Sequence, residues 1–117
     1  FLDQKKMKIY VVGTKDDKES AKEIFNHCPS AINLLEKSSP NVLYYLAKKS
    51  KFIISNDTGP AQLVSLANKP LIWIVNNNDI SKSNKPIGKK VIKISANKVD
   101  NISVKTVKNT IIKRKLL

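Results

Sequence analysis

Short apolar runs alternate with amphipathic stretches along the chain. The runs are rich in isoleucine and valine and begin near residues 8, 31, 52, 71 and 91, which predicts five buried strands. Between the first four runs, apolar residues recur every three or four positions, so three helices are expected there. A further amphipathic stretch after Ser103, whose hydroxyl can cap a helix, predicts a last helix. This alternation indicates an α/β fold in which helices cover both faces of a parallel sheet.

The loops that follow the strands are the first place to look for a binding site. In a parallel α/β fold, binding groups collect at the carboxyl ends of the strands. The loops at those ends are residues 13–15, 36–38, 56–60 and 76–79. The polar segment 76–90, with turn signals at Pro86 and Gly88, predicts a long loop.

The turn at residues 55–62, SNDTGPAQ, carries the densest functional signal. A turn between a buried strand and a helix presents free backbone N–H groups and the positive helix end to an anion. Gly59 permits a close backbone approach or unusual dihedrals, and Thr58 offers a capping hydroxyl. The Asp57 carboxylate can cap the helix or accept hydrogen bonds from ligand hydroxyls. From the residues alone, plain helix capping and ligand binding both stay open.

Length and composition narrow the class of protein. The 117 residues fit one domain with a modest core. One cysteine and one histidine exclude an internal disulfide framework and a metal site built from several such residues. No apolar run approaches the roughly 18 residues that a membrane span requires. We therefore expect a single α/β domain over residues 1–117, with no metal site.

The net charge of +13, from 22 basic and nine acidic residues, invites a nucleic-acid interpretation. Nucleic-acid sites usually rely on arginine for bidentate contacts, and Arg114 is the only arginine of this chain. The lysines are scattered from Lys5 to Lys115, which indicates a generally basic surface. A specific nucleic-acid partner is therefore not expected, whereas attraction to phosphate ligands or lipid head groups stays open.

Residues 52–75, FIISNDTGPAQLVSLANKPLIWIV, resemble the signature of the bacterial lipopolysaccharide heptosyltransferases, glycosyltransferase family nine. In that family a strand is followed by Asn-Asp-Ser/Thr-Gly-Pro-x-His-Leu-Ala, a helix, Lys/Arg-Pro and another strand. Residues 8–24, KIYVVGTKDDKESAKEI, are similar to the family's preceding strand, Gly-rich loop and helix. Residues 38–50, SSPNVLYYLAKKS, occupy the place of the helix before the motif. The C-terminal third resembles the family only in its layout of strand and helix.

The resemblance implies a GT-B architecture, in which two Rossmann-like domains face a cleft. This chain is similar to the C-terminal, nucleotide-sugar-binding domain, a three-layer α/β/α domain with a parallel sheet. The implied donor is ADP-heptose or a related nucleotide sugar, from which heptose passes with inversion to the inner core of lipopolysaccharide. The N-terminal domain, which holds the acceptor and the catalytic base in the family, is expected on a separate or truncated chain. No catalytic residue is therefore assigned here.

The resemblance also assigns donor-binding positions. Asp57, Thr58 and Gly59 match the family's turn that contacts the sugar and the diphosphate. Glu36, in the loop after the second strand, corresponds to the acidic residue that touches the nucleoside. Gln62 stands where the family usually has His; its amide can hydrogen-bond a phosphate but cannot carry a positive charge. Apart from the donor substrate, no cofactor is implied.

The family's basic phosphate-contacting residue has no match, and Lys15, Lys37 or Lys82 can replace its charge. The family resemblance places the protein in the cytoplasm, in peripheral contact with anionic lipid at the inner face of the bacterial inner membrane. Two alternatives stay open. One is a basic module that binds nucleic acid or anionic membrane, and the other is a degenerate, non-catalytic remnant, which Gln62 motivates. The isolated chain is expected to bind a donor without turning it over, because the transfer needs groups from both faces of the cleft.

Overall fold

A computed structural model describes residues 1–56, 58–77 and 85–117 of the chain. Strands and helices alternate in the order that the sequence pattern predicts. The strands are β1 (Tyr10–Gly13), β2 (Ile32–Leu35), β3 (Ile53–Asn56), β4 (Leu71–Asn76) and β5 (Val91–Ala96). The helices are α1 (Lys18–His27), α2 (Pro40–Lys49), α3 (Gly59–Ser65) and α4 (Val104–Lys113), with short 3-10 turns at Asp3–Lys5, Lys15–Asp17 and Val99–Asn101.

The first compact unit, Phe1–Leu43, contains β1, α1 and β2. β1 and β2 pair in parallel with Tyr10 opposite Ile32 and Gly13 opposite Leu35. The chain crosses from one strand to the other through α1, which buries Ala21. A parallel pair requires such a crossover, because a tight turn can join only antiparallel strands. The carboxyl ends of β1 and β2 therefore lie side by side.

The second compact unit, Tyr44–Leu117, contains a three-stranded parallel sheet with β4 between β3 and β5. A central parallel strand is covered on both faces, and it accordingly reads as a continuous apolar run. Leu71, Ile72, Trp73 and Val75 of β4 are all fully buried. Ala61 of α3 packs with Trp73 and Val75 at the centre of this core. The α/β class with parallel strands is thus confirmed, and the strands form sheets of two and three members.

Capping residues fix both ends of α4. The Ser103 hydroxyl accepts a hydrogen bond from the Thr106 N–H at 3.1 Å, so the cap expected from the sequence is confirmed. At the other end, Lys115 takes a left-handed conformation with φ of 54°. The Lys115 N–H donates to the Ile112 carbonyl and the Leu116 N–H to the Ile111 carbonyl, both at 3.1 Å. This pair of bonds is the Schellman motif, which satisfies the last helical carbonyls.

We expect Lys115→Gly to stabilise the protein. A side chain in the left-handed region costs about 1 kcal/mol, which glycine avoids, although its greater freedom in the unfolded chain reduces the gain. A net increase of about 0.5 kcal/mol in the free energy of unfolding should appear in urea denaturation. Lys113→Gly, two residues earlier and inside α4, is the matched control and should lose about 1 kcal/mol. Equal losses in both variants would contradict the assigned helix end.

Candidate functional site

The loop after β1 is held in shape by a capping box. The Asp17 carboxylate accepts a hydrogen bond from the Thr14 N–H at 2.8 Å, and the Thr14 hydroxyl accepts one from the Asp16 N–H at 3.3 Å. A Cβ at Gly13 would lie 2.6 Å from the Asp17 carboxylate, so only glycine allows this closure. The loop therefore leaves β1 in a defined direction, with Lys15 on its exposed side.

The loop after β2 has an uncommon backbone conformation and is held by hydrogen bonds. Glu36 has a φ of 60°, in the left-handed region that disfavours a side chain of its type. Its N–H donates to the Gly13 carbonyl at 2.9 Å, which ties the end of β2 to the end of β1. The Ser38 hydroxyl donates to the Leu34 carbonyl at 3.1 Å, and the Lys37 N–H donates to the same oxygen at 3.1 Å. These bonds hold the exposed Glu36 side chain at the strand end.

The two loops line an open cavity of about 700 Å³. It lies at the carboxyl ends of β1 and β2, where the sequence predicts binding groups. Its lining residues are Gly13, Thr14, Lys15, Glu36, Lys37, Ser38 and Ser39. We call this the β1–β2 cavity.

The β1–β2 cavity combines two ammonium groups with one carboxylate. In the part of the chain that the structure describes, Glu36 forms no ion pair with Lys15 or Lys37. The three charged groups are therefore available to a ligand. Lysines attract phosphate as mobile point charges, and a carboxylate accepts hydrogen bonds from sugar hydroxyls. The cavity thus presents the groups that a phosphorylated, hydroxyl-rich ligand needs.

The left-handed Glu36 provides a test that separates folding from binding. Glu36→Gly should raise the free energy of unfolding by about 0.5 kcal/mol, because glycine adopts this conformation without strain. Glu36→Gln keeps the strain and should leave stability unchanged. Both changes remove the carboxylate, and both should weaken binding of a nucleotide sugar about tenfold. Urea denaturation and calorimetric titration measure the two effects. Loss of stability in the glycine variant, or unchanged affinity in both variants, would contradict this account of Glu36.

The turn between β3 and α3 belongs to the second unit. Asp57 lies outside the described residues, so its predicted contact stays a prediction. Thr58 is the N-cap residue of α3, but its hydroxyl makes no capping hydrogen bond, and the capping role suggested by the sequence is not observed. The Thr58 N–H donates to the Asn56 carbonyl at 3.0 Å, which tightens the turn. The Thr58 hydroxyl is therefore not used to begin the helix.

Gly59 is the first residue of α3, and the fold gives no steric reason for a glycine there. A Cβ at this position would meet no described atom within 4 Å. The unusual dihedrals that a glycine permits are also not observed, because its φ is not positive. The remaining explanation from the sequence is a close approach of a ligand to the backbone.

Gln62 lies in the first turn of α3, four residues after Thr58, and is half-buried. Its carbonyl accepts a hydrogen bond from the Ser65 hydroxyl at 2.7 Å. The structure thus places Thr58, Gly59 and Gln62 together at the start of one helix, and Glu36 in the β1–β2 cavity. The sequence did not single out Ser39 as a cavity residue. The Ser39 hydroxyl accepts a hydrogen bond from the Val42 N–H at 3.4 Å, at the start of α2.

Among the described residues, no group of three or more His, Cys, Asp or Glu side chains is arranged to hold a metal ion. No helix in the same part of the chain has the length and apolar character needed to cross a membrane.

The parallel strands, the crossover helices and the groups at the strand ends define an α/β protein consistent with the Rossmann-like half of a GT-B enzyme. The family model described as glycosyltransferase family 9 (heptosyltransferase) matches residues 1–112. The chain belongs to this family. A search of curated proteins and a search of solved structures each found no match.

Proposed function

We propose that the chain binds the nucleotide-sugar donor of a heptosyltransferase reaction, ADP-heptose or a close relative. The observation that carries this proposal is the β1–β2 cavity, in which Lys15, Lys37 and Glu36 line one space without forming ion pairs among themselves. Family membership supports a sugar nucleotide as the class of ligand. The cavity lies at strand ends, where α/β folds bind nucleotides.

Each charged group of the cavity has a distinct role in this proposal. The Glu36 carboxylate accepts hydrogen bonds from the ribose hydroxyls, whose donors match its acceptor oxygens. Lys15 and Lys37 attract the diphosphate, and Lys82, which lies outside the described residues, is a further candidate. The local charge of the three groups is +1, which favours an anionic ligand.

The β3–α3 turn contributes a second set of contacts in the proposal. Asp57 accepts hydrogen bonds from the sugar hydroxyls, and the backbone at Gly59 receives a phosphoryl oxygen in the space that a Cβ would occupy. The Thr58 hydroxyl and the Gln62 amide donate to phosphate oxygens. These residues bind and orient the donor, and none of them is proposed as a catalytic base.

The proposed role in the reaction is therefore to hold the leaving nucleoside diphosphate. The acceptor, which we propose is the inner core of lipopolysaccharide, and the base that deprotonates it belong to the second domain of the GT-B architecture. In this proposal the acceptor hydroxyl gives its proton to the base, and its oxygen bonds to the anomeric carbon from the face opposite ADP as the bond to ADP breaks, which accounts for inversion. The proposed location is the cytoplasm, in peripheral contact with the anionic inner membrane.

Calorimetric titration with ADP and ADP-heptose tests the proposal. We expect wild-type protein to bind both, with dissociation constants of roughly 1 mM or below. Lys15→Gln combined with Lys37→Gln should weaken binding about tenfold or more, because two charge-assisted contacts are lost. Lys18→Gln combined with Lys22→Gln on α1 removes the same charge outside the cavity and should change affinity less than twofold. Absence of binding in the millimolar range, or equal losses in both double variants, would reject the proposal.

A further inference from the structure

A second charged cavity lies in the Tyr44–Leu117 unit, between β5 and the end of α4. Its volume is about 260 Å³. Ile92 and Ile94 of β5 provide apolar wall. The polar lining comes from Lys93, Thr110, Lys113 and Arg114. We call this the β5–α4 cavity, and none of its residues is among those assigned to donor binding.

Three basic residues and no acidic residue line the β5–α4 cavity. The Lys93 ammonium lies over the Trp73 ring, so Lys113 and Arg114 are the cations available to a ligand. Asp100 is the only acid from residue 85 to the end of the chain. Among the described residues, no carboxylate lies within 4.0 Å of the charged groups of Lys113 or Arg114. Arg114 is also the only arginine of the chain, and its guanidinium is the group best suited to a bidentate contact with phosphate. The positive charge of this cavity is therefore not neutralised by the described protein.

The positions of these cations are set by the fold. Ile111 is buried and anchors the last turn of α4, from which Lys113 and Arg114 project. The Schellman bonds of Lys115 and Leu116 satisfy the carbonyls of Ile112 and Ile111 in this turn. Lys93, on β5, places its ammonium 5.9 Å from the ring centroid of Trp73, a geometry that restrains the lysine.

We propose that the β5–α4 cavity binds a phosphoryl group. Lys113 and the Arg114 fork supply charge-assisted donors. The Thr110 hydroxyl donates its proton to the Thr106 carbonyl at 2.9 Å, so it can accept a hydrogen bond from a protonated phosphate beside them. The isoleucine wall lies next to the cations, so the ligand can carry an apolar portion. The same chemistry fits a soluble phosphate and the phosphate of an anionic lipid headgroup. This inference is independent of the proposed donor site.

Trp73 is the only tryptophan and lies beside Lys93, so its fluorescence reports on this cavity. The first arm titrates the full chain with inorganic phosphate, against sodium chloride at matched ionic strength. The second arm uses vesicles of phosphatidylcholine with and without phosphatidylglycerol. We expect a saturable change in at least one arm, with half-saturation by phosphate at roughly 1 to 10 mM if the source is soluble.

Matched variants decide between a site and general charge. Lys113→Gln combined with Arg114→Gln should weaken the response about tenfold, because both charged donors are lost. Lys18→Gln combined with Lys22→Gln removes the same charge from α1 and should shift half-saturation less than twofold. A response to phosphate alone identifies a soluble ligand, and a response to anionic vesicles alone identifies a lipid headgroup. No response in either arm, or equal weakening in both double variants, would overturn the proposal. Lys113 and Arg114 would then interact only with the carboxyl end of α4.

Discussion

Gly88→Ala is expected to destabilise the protein by about 3 kcal/mol. A Cβ at this position would lie 2.7 Å from the carbonyl carbon and 2.8 Å from the Cβ of Ser65, a residue that is 2% exposed. Backbone atoms cannot rotate away as a flexible side chain would, so the segment before β5 has to move off α3. That movement would also break the hydrogen bond from the Gly88 N–H to the Ser65 hydroxyl, which is 3.2 Å long.

Gly59→Ala is the matched control for this prediction. The added methyl group meets no described atom within 4 Å, so the free energy of unfolding should change by less than about 0.5 kcal/mol. Urea denaturation of the two variants, followed by circular dichroism, measures the difference. Similar losses at Gly59 and Gly88 would show that the close packing of Gly88 on Ser65 is wrong. Since α3 carries Thr58 and Gly59 at its start, the same contact also positions the proposed donor turn.

Trp73→Ala should destabilise the protein by about 3 to 5 kcal/mol. Trp73 is fully buried in the central strand of the second unit and packs with Ala61 and Val75. Removing the indole leaves a cavity that the surrounding strands cannot close. A small domain has only about 5 to 15 kcal/mol of total stability, so the variant is expected to be partly unfolded at 37 °C.

Trp73→Phe separates the loss of volume from the loss of the indole N–H. No described residue accepts a hydrogen bond from the buried Trp73 Nε1 atom. Phenylalanine therefore removes an unsatisfied polar group while it keeps most of the apolar contact, and the expected loss is below about 2 kcal/mol. Thermal unfolding by circular dichroism measures both variants. Equal losses for Ala and Phe would contradict the packing role assigned to this side chain.

The sequence predicted the strands and helices because their signals are local. Apolar periodicity located the helices, and Ser103 marked the start of α4. The apolar run that begins near residue 71 predicted a buried strand, and the full burial of Trp73 in this strand confirms it. The strands begin within two residues of the predicted positions, as the start of β5 at Val91 shows.

Contacts between distant residues could not be read in the same way. The bond between Ser65 and Gly88 joins residues 23 apart in sequence, and no local pattern encodes it. The left-handed conformation of Glu36 was not expected either, because the glutamate side chain gives no sign of it. The hydroxyl of Thr58 fits a cap by its type, yet the turn geometry leaves it unused.

The candidate site was predicted partly by physics and partly by resemblance. The rule that ligands bind at strand ends indicated the loops that form the β1–β2 cavity, and the structure brings Lys15, Glu36 and Lys37 together there. The contacts of Asp57, by contrast, rest on the family motif alone. The β5–α4 cavity was not foreseen, because Lys93 and Arg114 lie on separate elements and only the fold brings them together.

Chemical-shift mapping of ¹⁵N-labelled protein during titration with ADP and then ADP-heptose tests the central claim most directly, because it locates the donor residue by residue. The account predicts that ADP shifts the backbone N–H signals of residues 13–15 and 36–39 and of Thr58, Gly59 and Gln62, and that ADP-heptose adds a shift at Asp57, the proposed sugar contact. Shifts confined to Lys93, Lys113 and Arg114, or no shifts at millimolar ligand, would contradict donor binding by this chain.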